Sequence, residues 1–108
     1  MTSESLLIEP RRRVTLDELR RHRTELLAAA EATGIDNVRV FGSVARGDAD
    51  DDSDLDLLVD VLPGHGLFAM GAFAFAVQDL LGVFTQVATV AGLKKRIRDR
   101  VMGEAVQL

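Results

Sequence analysis

The run Val38-Arg39-Val40-Phe41 stops at Gly42-Ser43, and after ten more residues a second alternating run opens with Asp54-Leu55-Asp56. No other stretch of the chain restricts its fold so tightly. In a strand, residues two apart share a face at about 7 Å along the chain, so Asp54 and Asp56 aim at one point while Leu55, Leu57 and Val59 enter a core. Two carboxylates held that way repel, and burial raises the pKa of one of them unless a cation is supplied. Oxygen-only ligands suit Mg²⁺, which usually keeps several waters and takes one or two carboxylates together with phosphate oxygens. Gly42 supplies the complement. Lacking a Cβ, it lets the backbone approach a ligand, and Ser43 opens a short helix whose free N–H groups favour a phosphate. A nucleoside triphosphate carrying Mg²⁺ fits both halves.

Each feature alone describes an acidic turn between two strands, with Gly42 and Gly47 present for backbone freedom. The combination is more restrictive. Gly42-Ser43 and Asp54-Leu55-Asp56, with Arg46-Gly47 and Ser53 between them, resemble the signature of the DNA polymerase β-like nucleotidyltransferases. Within that superfamily the chain resembles the minimal nucleotidyltransferases, which in prokaryotes serve as antitoxins beside a HEPN ribonuclease toxin. The likeness continues through Pro63-Gly64-His65-Gly66-Leu67-Phe68 and Leu93-Lys94-Lys95-Arg96-Ile97-Arg98 to Glu104-Ala105-Val106, covering roughly residues 37–108.

The resemblance implies Mg²⁺-dependent transfer of AMP from ATP to a tyrosine hydroxyl of a cognate HEPN toxin. It implies that Asp54 and Asp56 hold the metal, that Gly42 and Ser43 cradle the β- and γ-phosphates, and that Arg46 adds phosphate charge. It also implies a third catalytic carboxylate on the third strand, and counting from Gly82 this chain has Gln86 there. An amide brings no negative charge and is no base at neutral pH. Nucleotide binding is therefore expected to outlast turnover, and the alternative function is an antitoxin that neutralises by binding alone. A transferase acting on nucleic acid or a drug usually requires an extra domain, so that third option is not the expected one.

Composition sets outer limits. A chain of 108 residues can bury one modest core, and without Cys it offers neither disulfides nor zinc thiolates. We expect an arm over residues 1–14, loosely held, and a single domain over 15–108. No apolar run approaches the ~20 residues of a membrane helix, and no basic segment leads into a signal region, so a cytoplasmic protein is expected. The formal charge of −4 and the absence of Trp and Tyr argue against direct nucleic-acid binding.

Thr15-Leu16-Asp17-Glu18 reads as a capping box opening a helix over 15–33, with Gly34 as its stop. His22 is expected to be solvated among arginines. A first strand follows at Val38 and Val40, a short helix after Gly42, and a second strand over 55–61. There Asp60, about 13 Å from Asp56, lies too far away to share a metal. Residues 67–81 form a helix that is apolar almost all round, so either it is completely buried within the fold or one face packs on the sheet and another on a toxin or a second copy in a homo-oligomer. A third strand over 83–89 and a basic helix over 93–106 complete the expected order α-β-α-β-α-β-α. The expected fold is thus α/β and palm-like, a three-stranded mixed sheet with about four helices.

Overall fold

The computed structural model describes residues 12–108. Thr15 caps the first helix α1 (Leu16–Arg21), its hydroxyl accepting from the Glu18 amide at 3.2 Å. The helix expected to run to residue 33 is interrupted at His22, where φ −100° and ψ 14° leave the helical range, and resumes as α2 (Arg23–Thr33). The break is shallow, because the His22 amide still donates to Glu18 and Leu19 and its carbonyl accepts from Leu26. His22 Nδ1 lies 3.0 Å from Glu25 Oε1, an exposed local pair apart from any site.

Gly34, at φ 80°, ends α2 and delivers the chain into β1 (Ile35–Phe41). The strand starts earlier than Val38 and carries a bulge between Asp36 and Arg39, with Asn37 at φ 51°. After the one-turn helix α3 (Gly42–Arg46) and an acidic turn, β2 (Leu55–Val61) runs back antiparallel to β1. Asp60 stays at the solvent edge, bound by Arg39 Nη2 at 2.9 Å and Asn37 Nδ2 at 3.0 Å. The helix α4 (Leu67–Leu81) then crosses over, so that β3 (Thr85–Ala88) lies parallel to β2.

Among the described residues the sheet has four strands rather than three. Helix α5 (Lys95–Glu104) stops two residues short of the expected end, and β4 (Val106–Gln107) pairs antiparallel with Val40 and Arg39 of β1. The strand order is β3-β2-β1-β4, and Leu108 extends the pairing by donating to the Val38 carbonyl at 3.0 Å. Two residues are too few to show an alternating pattern, and their pairing is made entirely with a distant strand. The third strand is likewise shorter than 83–89.

Most of the arm expected over 1–14 falls outside the described residues. Its last residues are packed: Val14 is buried in the core, and Arg12 donates to the Glu18 carboxylate at 2.8 Å and to the Leu81 carbonyl at 3.0 Å. Leu19, Leu26, Val40, Leu57, Phe73 and Val77 form the centre of the core. Helix α4 divides as its composition suggests. Phe73 is fully buried, whereas Leu67, Phe68 and Phe75 are 84%, 97% and 71% exposed. Among the described residues no helix is long and apolar enough to cross a membrane.

This division makes the two phenylalanines unequal. Phe73→Ala should cost about 3–5 kcal/mol in urea unfolding because it empties a closed core site, while Phe75→Ala should stay within about 0.5 kcal/mol of the parent. Equal losses would contradict the orientation of α4.

Candidate active site

The site forms where β1 ends and β2 begins. The register sets Phe41 opposite Asp56, so the backbone of Gly42 comes up against the Asp56 carboxylate. Gly42 adopts φ +74°, and a Cβ built there would collide with Asp56 Oδ2. The glycine therefore answers two demands at once: a left-handed backbone and the close approach of a carboxylate. Ser43 follows as the second residue of α3, and among the described residues its hydroxyl makes no hydrogen bond.

The acidic turn is ordered by its own side chains. Asp50 Oδ1 accepts from the Asp52 amide at 2.9 Å and from the Ser53 hydroxyl at 3.1 Å, while that hydroxyl accepts from the Asp50 amide at 3.0 Å. The Leu55 amide then donates to Phe84 O at 2.8 Å, where β3 is about to begin. This fixes Asp54 and Asp56 on one face at the start of β2. On the parallel neighbour, Gln86 is in register with Asp56, and its Nε2 donates to Asp54 Oδ2 at 2.7 Å. Asp54, Asp56 and Gln86 are thus brought together.

Arg46 sits at the other end of α3. Its Nε donates to Asp48 Oδ2 at 3.2 Å and its Nη1 approaches both oxygens of Glu104 at 3.3 and 3.4 Å. Glu104 Oε1 also accepts from the Gly42 amide at 2.9 Å. Two of the groups expected to meet phosphate are therefore already engaged by a residue given no role from sequence. Glu104 belonged to the stretch that carried the family likeness, but nothing local distinguished it from the polar end of a basic helix.

The electrostatics follow from this crowding. The Asp56 carboxyl is pushed from 3.8 up to about 6, first by burial and then by the charge of Asp54, with Glu104 adding to the effect and Arg46 opposing it. The Arg46 guanidinium is held further toward its charged form by its hydrogen bonds to Asp48 and Glu104. Among the described residues no three His, Cys, Asp or Glu side chains are arranged as a metal cluster. A pair of carboxylates short of positive charge fits Mg²⁺ that brings phosphate oxygens and water to complete its shell.

The chain belongs to the nucleotidyltransferase domain family, whose model matches residues 19–108. It is similar to the protein adenylyltransferase MntA of Thermococcus cleftensis, 34% identical over 97 residues that span 86% of this chain and 95% of that protein. A solved structure assigned as a minimal nucleotidyltransferase superposes with a TM-score of 0.77 at 42% identity, covering 88% of this chain and 97% of its own. A crystal structure of a toxin-antitoxin with AMP-PNP shares the fold at a TM-score of 0.65 and 15% identity, over 78% of this chain and 69% of that one.

A raised carboxyl has a definite linkage sign. Because folded Asp56 binds its proton more tightly than the unfolded chain does, its contribution is present in acid and is lost as pH rises from 3.8 through about 6. Without metal, the melting temperature of the parent should fall relative to Asp56→Asn across that window, and Mg²⁺ should reverse the fall. A parent and variant that change in parallel would contradict the assignment.

Proposed function

We propose that the protein is a Mg²⁺-dependent nucleotidyltransferase that transfers AMP from ATP to a tyrosine hydroxyl of a cognate HEPN ribonuclease toxin, and so serves as its antitoxin in the cytoplasm. The observation that carries this reading is the convergence of Asp54, Asp56 and Gln86 beside the Gly42-Ser43 turn, in a chain related to a protein adenylyltransferase. Residues 15–108 act as the single transferase domain.

In the reaction the acceptor hydroxyl oxygen bonds to the α-phosphorus of ATP while the α–β bridging P–O bond breaks and pyrophosphate leaves. The Gly42-Ser43 turn faces the outgoing phosphates, its glycine leaving room for them and the Ser43 hydroxyl donating to them. Asp54 and Asp56 are the metal ligands. Bound there, Mg²⁺ supplies charge stabilisation for the phosphates and the leaving group. The hydroxyl proton leaves to a carboxylate of the pair or to water, because the Gln86 amide accepts none. The exposed Leu67, Phe68 and Phe75 offer the toxin an apolar face.

A second reading, neutralisation by binding alone, draws on one observation. Gln86, where the resemblance implies a third carboxylate, donates from its neutral amide to Asp54 Oδ2. Mass spectrometry of the toxin after incubation with Mg²⁺ and ATP separates the two. The parent should add AMP slowly, Gln86→Asp faster by about 10² or more through restored base and ligand, and Asp54→Asn with Asp56→Asn not at all. No AMP from either the parent or Gln86→Asp would leave the binding-only antitoxin.

A further inference from the structure

Helix α3 begins without a cap of its own. The residue before it is Phe41, whose side chain has no oxygen to offer the first amide, and no local side chain takes that role. Glu104 takes it from 62 residues away, its Oε1 accepting from the Gly42 amide at 2.9 Å. The same carboxylate faces the Arg46 guanidinium at the far end of the helix, so one side chain grips both ends of a five-residue element.

Glu104 is also well anchored. Its side chain is only 18% exposed. It is the last residue of α5, directly after it the Ala105 amide donates to the Val101 carbonyl at 2.9 Å, and β4 then joins the sheet beside β1. A carboxylate carried on backbone fixed on both sides is suited to holding other groups still. It is poorly suited to swinging away each time a phosphate arrives.

Resting on the nucleotide-binding reading above, we infer that Glu104 is a positioning residue for the nucleotide site: it clamps the Gly42 turn against Asp56, and Arg46 is the counter-charge of that clamp rather than a phosphate ligand. Arg46 already pairs with Asp48 through Nε and with Glu104 through Nη1, so a phosphate recruiting those atoms would compete with two carboxylates. With Arg46 in place, the negative charge of Glu104 is neutralised next to a site that must receive a triphosphate. With Arg46 removed, that charge stands unpaired and opposes binding.

A double-mutant cycle on the full chain tests this, with Mg²⁺-ATP as titrant in calorimetry. Glu104→Ala should weaken binding about tenfold, the equivalent of one lost hydrogen bond to a charged group. Glu104→Gln, which keeps an acceptor for the Gly42 amide, should recover most of that loss. Arg46→Ala should weaken binding in the parent and have little further effect in Glu104→Ala, since the two act as one unit. Should Glu104→Ala fail to fold, the same comparison in Glu104→Gln applies, where Arg46→Ala should cost less than in the parent. An equal loss from Arg46→Ala in both backgrounds would make Arg46 an independent phosphate ligand and overturn the inference. Tighter binding by Glu104→Ala would make Glu104 a competitor of phosphate and overturn it too. A parent that binds no Mg²⁺-ATP would remove the nucleotide reading together with the clamp, an outcome distinct from a parent that binds and variants that match it.

Discussion

The backbone of Gly42 and the carboxylate of Asp56 lie so close that no side chain fits between them, and the arrangement of the site follows from that contact. It requires a residue without Cβ at φ +74°, and it requires β1 and β2 to pair so that Phe41 faces Asp56. A one-residue slip of β2 would send Asp56 to the opposite face and bring Leu55 or Leu57 out of the core. Core packing and site geometry are thus enforced by the same register. The parallel β3 inherits it, which brings Gln86 level with Asp56.

Charge balance is the second consequence. Burial and the nearness of Asp54 leave Asp56 reluctant to ionise, and Glu104 adds to the strain that Arg46 partly relieves. A site with this balance favours a divalent cation, the more so when the cation arrives with phosphates that complete its coordination. Gln86 alters the sum. A third carboxylate would deepen the negative charge and attract a further ion, whereas the amide gives Asp54 a neutral hydrogen bond and asks for no additional cation.

The two carboxylates were legible because an i, i+2 spacing within an alternating run has a single geometric meaning. Gln86 was legible by its distance from Gly82 and its neighbours' alternation. Gly42 was legible as a site of close approach, although the group that approaches is Asp56 itself. Other features had no local signature. The break at His22 leaves the apolar spacing of α1 and α2 unchanged, β4 is too short to alternate, and Glu104 acquires its partners only when α5 folds back on α3. Local patterns encode which face a residue occupies; they do not encode which distant residue will meet it.

In the proposed function, Asp54 and Asp56 form one metal site facing the phosphates at Gly42-Ser43. A crystal structure with Mn²⁺ in place of Mg²⁺ and a non-hydrolysable ATP analogue tests it most directly, through the anomalous signal of the metal. The expected result is a peak shared by both carboxylates, phosphate oxygens over the Gly42-Ser43 turn, and the Gln86 amide turned away from Asp54 Oδ2. A peak bound elsewhere, or phosphates remote from that turn, would contradict it.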